Sequence, residues 1–390
     1  MNVTALDRTT PGAFQMALTR RGLDPVRAAA VMRGVKPMAF VLDGVDEVAR
    51  ERIVQAAQQR HLECLTGDGW AVLAGGVAEL AGLTRTGRSL LPEELADALG
   101  RSLSAVWGDP AEWSMARGTI SLVDPVIVGI VNVTPDSFSD GGRFLEPVAA
   151  VAHAGVLIAE GASVLDVGAE STRPGVTAPV SADEEWRRLE PVLDAIRARH
   201  PAMPITVDTM RGQTARRALK RGAWAINDVS GLRYDTSVAD ACAEFDAGLI
   251  LMHSRGIRST MATYEHAHYE DLVSEMLHEM EMASGRATAA GVREERIVLD
   301  PGLGFAKTPE QSVLALQSVG AMVALGRPVM LGPSRKRFLG ALTGRDVEDR
   351  DVATAVACAA GFALGARLFR VHAPGPTRDA LAVARAVWGA

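Results

Sequence analysis

From Val126 onward the chain alternates short β-rich apolar runs with stretches of helical spacing. The runs are "VIVGIVN" (126–132), "SVLDVG" (163–168), "PITVDT" (204–209), "AWAIND" (223–228), "GLILMH" (248–253), "RIVLDP" (296–301), "PVMLG" (328–332) and "RLFRVH" (367–372). Helical patterns lie between them, around 147–160, 182–199, 211–221, 236–246, 265–290, 309–319 and 349–365, and a last one follows at 377–388. Such alternation predicts a parallel sheet. Eight repeats over about 270 residues predict a (β/α)8 TIM barrel, which typically takes about 250. An open, doubly wound sheet is the alternative.

The first part of the chain reads differently. "MAFVLDG" (38–44) predicts a strand. "VDEVARERIVQAAQQR" predicts a helix, from the spacing of Val45, Val48, Ile53, Val54 and Ala57. "HLECLTGDGWAVLAGG" predicts two strands joined at Gly67-Asp68-Gly69, because Asp-Gly favours a hairpin turn. Its glycines lack the Lys-Ser/Thr pair of a P-loop. Pro92 opens a helix at "PEELADALGRSL". The expectation is a small α/β domain over 1–116 and a barrel over 117–390. "WGDPAEWSMARG" (107–118) has no clear period and reads as a linker.

Composition narrows the class. The chain has 390 residues, 48% apolar, which is enough for a large core. The net charge of -6 excludes the basic footprint of a nucleic-acid binder. Cys64, Cys242 and Cys358 are odd in number and far apart, so neither a disulfide framework nor a zinc site is expected. The N-terminus lacks the basic and apolar regions of a signal peptide. No apolar stretch reaches the roughly 18 residues of a membrane helix. The expectation is a soluble, cytoplasmic protein.

Chemistry is expected where the runs end. Nearly every one closes on a polar residue: Asn132, Asp166, Asp208, Asn227 with Asp228, His253, Asp300, Ser334 with Lys336, and Arg370 with His372. In a (β/α)8 barrel these ends converge on one mouth, where active sites form. A polar residue after a buried strand also serves as a helix cap or turn former. For Asp166 that plainer reading is favoured, since Gly168 and Glu170 crowd the same turn. Taken together, Asp208, Asn227, Asp300 and Lys336 suit a flat heterocycle with amide and amino edges. Asn132, Arg173, Arg370 and His372 suit an anionic leaving group, arginine binding phosphate oxygens bidentately. His266 and His268 in "EHAHYE" are too few for a metal site and read as a solvated face. Arg216, Arg217, Lys220 and Arg221 read as an exposed helix face. Met252 fits either core or a wall of the pocket.

In order, "NVTPDSFSDGG", "DVGAESTRPG", "VDT", "INDVSG", "MHSRG", "DPGLGF", "SRK" and "RVH" resemble the dihydropteroate synthase family. The first two are highly specific, and the match runs from about Arg117 to Ala390. The resemblance implies a TIM barrel, usually a homodimer, that joins p-aminobenzoate to 6-hydroxymethyl-7,8-dihydropterin diphosphate. It implies that Asp208, Asn227, Met252, Asp300 and Lys336 hold the pterin. Phe138, Thr172, Arg173, Pro174, Phe305 and Ser334 would shape the p-aminobenzoate site. Asn132, Thr172, Arg173, Arg370 and His372 would bind the diphosphate, with Asn132 on Mg2+. Asp300, Lys336, Arg173 and Asp208 would carry the catalysis. The sequence departs from the family pattern at Ala306, where glycine is common, and at Pro333, Arg337 and Ala373; Gln311-Ser312 stand where an asparagine often follows. Two other readings are a methyltetrahydrofolate-dependent methyltransferase and a pterin-binding homologue without activity.

Overall fold

The structure, a computed structural model, describes residues 37–85, 90–107, 112–133, 146–170 and 180–388. It divides into two compact units, 1–108 with 385–390, and 109–384.

The first unit holds a three-stranded antiparallel sheet of β1 (Pro37–Val45), β2 (Glu63–Gly67) and β3 (Gly69–Gly76), in the order β1-β3-β2. β2 and β3 meet in the expected hairpin, with Gly67 opposite Trp70 and Gly69 at φ +76°. Three helices, Glu47–Gln59, Val77–Arg85 and Glu93–Trp107, accompany it. The first begins where Asp46 accepts a hydrogen bond from the Ala49 N–H, a standard N-cap. Leu42, Ala71 and Leu73 of the sheet share one core with Ile53, Leu80, Leu83, Leu99 and Leu103 of the helices. The helix Val77–Arg85 has no counterpart in the sequence reading; it follows β3 directly.

The second unit opens with a hairpin, β4 (Glu112–Met115) and β5 (Gly118–Ser121). This corrects the linker expected over 107–118. A four-residue strand is too short to show a period. What fixes it is tertiary: Trp113, Met115, Ile120 and Leu122 are buried against Val126, Val164, Ala225, Ile250, Val298 and Leu368 at the N-terminal end of the barrel. The Trp113 indole N–H donates to the Arg296 carbonyl at 2.8 Å. The Arg296 guanidinium in turn donates to the Ser114 and Asp246 carbonyls.

The eight strands follow as β6 (Val126–Asn132), β7 (Val164–Gly168), β8 (Ile205–Asp208), β9 (Ala225–Asp228), β10 (Gly248–Met252), β11 (Ile297–Asp300), β12 (Met330–Leu331) and β13 (Leu368–Val371). Their order is β11-β10-β9-β8-β7-β6-β13-β12, every pair is parallel, and a bridge from Leu299 to Val329 closes the ring. The structure is therefore the (β/α)8 barrel, not the open sheet. Outward residues such as Ile127, Val131, Leu165, Val167, Val207 and Ile226 pack against the surrounding helices. Helix starts are chemically marked: Ser181 caps Ala182–Arg199, Asp271 caps Leu272–Ala289, and Thr308 with Gln311 forms a capping box on Pro309–Gln317. The helix expected from 265 begins at Leu272; residues 261–270 form turns, so His266 and His268 stand outside it.

Candidate active site

Side chains two apart on a strand share a face, so the barrel interior can be followed along each strand. Val164 is followed by Asp166, Ala225 by Asn227, Val298 by Asp300 and Leu368 by Arg370. The first of each pair belongs to the apolar base. The second stands one layer nearer the C-terminal mouth. Polarity thus changes along the barrel axis rather than across the sheet.

The centre of this layer is Asp166, with no exposed surface. Its carboxylate accepts from Thr206 Oγ1 at 2.5 Å, Asn227 Nδ2 at 3.1 Å and Arg370 Nε at 2.6 Å. The reading of Asp166 as a cap or turn former is corrected. It lies inside β7, where three other strands, β8, β9 and β13, supply the donors across the barrel interior, and that is invisible in its own segment. Arg370 also donates through Nη2 to Asp208 Oδ2 at 2.8 Å. Burial opposes the Arg370 charge, but Asp166 and Asp208 raise its pKa. Burial pushes the Asp208 carboxyl up to about 7; Arg370 works against that, while Asp166, Glu185 and Asp228 add to it. Asn227 Oδ1 is buried with no hydrogen-bond partner. Asp228, by contrast, keeps the plainer role: it accepts from the N–H groups of Ser230 and Leu232 and the Ser230 hydroxyl, shaping the turn after β9.

Two loops complete the mouth. At the end of β11, Asp300 is 3% exposed and accepts from the Gly302 N–H at 2.7 Å. Burial raises its pKa, while that N–H, Lys336, Arg370 and Lys307 lower it. Gly302 sits at φ +64°, and a side chain there would strike the His253 carbonyl. Phe305 joins Met210, Val229, Met252 and Met261 in an apolar wall. Met252 therefore serves both readings: it is 4% exposed and stands beside the polar layer. After β12, Arg335 takes φ +56°, with its guanidinium bidentate on Asp351 at 2.7 and 2.8 Å. Ser334 bonds His372 Nδ1 at 2.9 Å, and Lys336 Nζ lies 3.7 Å from the Phe305 ring centre. Burial pushes the Lys336 ammonium down to about 7, with Arg370 adding to the shift and Asp300 opposing it.

The structure brings Asp208, Asn227, Met252, Asp300, Phe305, Ser334, Lys336, Arg370 and His372 to the strand ends. Asn132 closes β6 opposite Gly168. Phe138, Thr172, Arg173 and Pro174 lie outside the described residues. His253 bonds Lys307 Nζ at 2.7 Å and faces Glu279. Of the basic residues on the helix Gly212–Lys220 and at its end, Arg216 pairs with Glu244, Arg217 with Asp183, and Arg221 with Glu190 and Asp194, as a solvated face would. The sequence reading gave no role to Lys307; its signal was a lysine placed directly after a loop rich in glycine.

Residues 128–372 match the family model of the pterin binding enzymes. The dihydropteroate synthase of Mycobacterium leprae is 42% identical over 272 residues, 68% of this chain and 94% of that protein. The chain belongs to the dihydropteroate synthase family. Among solved structures, the Xanthomonas albilineans dihydropteroate synthase with 4-aminobenzoic acid is 40% identical, with a TM-score of 0.66 over 72% of this chain and 99% of that one. The Thermus thermophilus dihydropteroate synthase in complex with 6HMPPP is 37% identical, with a TM-score of 0.61 over 71% of this chain and 100% of that one. Both coverages leave more than a quarter of this chain outside the similarity. No helix among the described residues is long and apolar enough to cross a membrane.

Proposed function

We infer that the chain condenses 6-hydroxymethyl-7,8-dihydropterin diphosphate with p-aminobenzoate, giving dihydropteroate and diphosphate in folate synthesis. The observation that carries this is the polar layer in the barrel. Asn227 Oδ1 is a buried acceptor without a partner, beside the carboxylates of Asp166 and Asp208. That donor-poor array suits the amino and ring N–H edge of a pterin. Asp300 and Lys336 provide an acceptor and a donor for the rest of the ring, and Met252 and Phe305 an apolar wall.

Breaking the C–O bond to diphosphate leaves positive charge on the pterin methylene. Asp300 stabilises that charge, and the cost of its burial is met by fixed partners rather than by water. Arg370, His372 and Arg173 bind the departing diphosphate. The aniline nitrogen of p-aminobenzoate then attacks; it is unprotonated at neutral pH, so no general base is required. Phe138, Thr172, Pro174, Phe305 and Ser334 hold this second substrate. The substitution is dissociative, with positioning and electrostatics as its main terms.

Among the described residues no group of three or more His, Cys, Asp or Glu could hold a metal. Magnesium prefers oxygen ligands and keeps several waters, so the amide oxygen of Asn132 would be the protein group that holds it. When bound, the ion offsets negative charge on the leaving group. The working form is a cytoplasmic homodimer. A methyl transfer would need neither "TPDSFSDGG" nor "STRPG", and an inactive homologue would not need to keep Asp300 with Lys336.

The test is an assay of the purified protein with dihydropterin diphosphate, p-aminobenzoate and magnesium, following diphosphate and dihydropteroate together. Product that depends on p-aminobenzoate is expected. Asp300→Ala and Lys336→Ala should each weaken dihydropterin diphosphate binding by roughly 10- to 100-fold, the loss of a buried charged hydrogen bond. Intact binding and turnover in both would overturn the site assignment.

A further inference from the structure

Lys307 is 1% exposed, and it is the one charged residue among the largest fully buried side chains of the described residues. A buried cation needs partners to be tolerated. Its Nζ lies 2.7 Å from His253 Nδ1, 3.3 Å from the Phe305 carbonyl and 3.4 Å from the Gly302 carbonyl. Burial pushes the Lys307 amine down to about 7, with Asp300 and Glu279 holding it up. Glu279 Oε2, 3.2 Å from His253 Nε2, favours the tautomer with its proton there, which leaves Nδ1 as an acceptor for the Lys307 ammonium. Arg255 holds the other oxygen of Glu279 at 2.5 and 2.9 Å.

We propose that Lys307 is a positioning residue for the condensation: its ammonium, seated on His253, ties the Gly302 and Phe305 carbonyls together and fixes Asp300 and the Phe305 ring where dihydropterin diphosphate meets them. The Gly302 N–H orients the Asp300 carboxylate at 2.7 Å, and the Asp300 carbonyl accepts from the His253 N–H at 2.8 Å. At the other end of the turn, the Phe305 ring lies under Lys336 Nζ. One ammonium thus grips both ends of the turn between the two catalytic charges. It does so from the interior, without a place in the pterin site itself.

The second effect is electrostatic. Burial pushes Asp300 towards its protonated form, and the Gly302 N–H, Lys336, Arg370 and Lys307 oppose it. Around Lys307 the facing charges are Asp300, Glu279, Lys336 and Arg255, with His253 in direct contact. Removing the Lys307 charge leaves Asp300 with less support, so its carboxyl takes a proton at higher pH. Pterin binding that depends on the carboxylate then fails earlier on acidification.

The proposal rests on Asp300 as the pterin-holding carboxylate, and the test separates the two. Binding of dihydropterin diphosphate with magnesium is titrated against pH for wild type, Lys307→Met and Asp300→Asn, and kcat and KM are measured for the first two. In Lys307→Met the acid limb of binding should move to higher pH, the direction expected when a nearby opposite charge is removed. Turnover should fall about 10- to 100-fold, as for a reacting group displaced by about 1 Å. A bystander lysine would change the melting temperature but not the limb; a wild-type limb with wild-type kinetics overturns the proposal. Asp208, which titrates at about 7 in the same site, leaves a limb of its own in Asp300→Asn, but adding Lys307→Met to Asp300→Asn should no longer move it. If Lys307→Met still moves the limb in that background, the Asp300 reading fails and the proposal falls with it. Should Lys307→Met not fold, Lys307→Gln, which keeps donors for the carbonyls without the charge, carries the same comparison.

Discussion

At its N-terminal end the barrel interior is filled by Val126, Val164, Ala225, Val298 and Leu368 against Trp113. Two residues further along the last four of these strands stand Asp166, Asn227, Asp300 and Arg370. The base buries apolar surface and makes few demands on protonation. The mouth buries charge, and each charge there is shared: Arg370 between two carboxylates, Asp300 among a backbone N–H and several cations. The difference teaches where stability and chemistry are kept. The base can stabilise the fold at any pH, while the mouth holds groups whose ionisation is opposed by their own burial.

The sharpest test of that division is Trp113→Ala. It removes the largest side chain of the base and the bond to the Arg296 carbonyl. We expect a loss of about 3–5 kcal/mol, the usual cost of emptying a buried aromatic site. Chemical unfolding measures it. The kcat of the protein that remains folded should match wild type; a fall in kcat at full folding would show that base and mouth are coupled.

Asp208→Asn probes the other end. Turnover should fall about 100-fold, the usual scale for losing one fixed charged contact in a site. Stability should move the other way. The folded Asp208 carboxyl titrates at about 7, above the ordinary value of 3.8. Between those values the folded state holds the proton more tightly, so this group's stabilisation is complete below about pH 4. It is lost as pH rises through about 7. The variant lacks that slope and should exceed wild type at pH 8 by about 1–3 kcal/mol. Unfolding at pH 5 and pH 8 reads it; a variant less stable than wild type at pH 8 would show that the bond to Arg370 outweighs the burial of the charge.

The same division explains what the sequence disclosed. The eight strand runs and their polar ends were legible because strand period and barrel convergence are local rules applied eight times. Asp166 was misjudged because its partners, Thr206, Asn227 and Arg370, come from three other strands. The β4–β5 hairpin was missed for the same reason: four-residue strands carry no period, and only the barrel base gives Trp113 its place. Lys307 escaped because a lysine after a loop reads as solvent-exposed until the fold buries it. Asp228 shows the converse, a strand-end carboxylate whose role is a turn.

Ala306 is an apolar residue in a loop of the mouth, and it gives the smallest expected effect. It stands at φ +43° in the loop that carries Phe305, yet its side chain is wholly buried. Its N–H donates to the Met261 carbonyl at 2.7 Å, and its carbonyl accepts from the Tyr269 hydroxyl at 3.0 Å, so the backbone is pinned from both sides. A left-handed conformation costs an L-residue about 1–2 kcal/mol. Glycine would relieve that, but would lose roughly 0.8 kcal/mol of methyl burial and about 0.4–1 kcal/mol of chain entropy. The terms nearly cancel, so Ala306→Gly should change stability by less than about 1 kcal/mol in either direction and leave KM for both substrates unchanged. A thermal melt beside steady-state kinetics settles it. A loss above about 2 kcal/mol would mean that the methyl packs as a base residue does, and a changed KM for p-aminobenzoate would mean that the pinned loop is tuned by this one methyl.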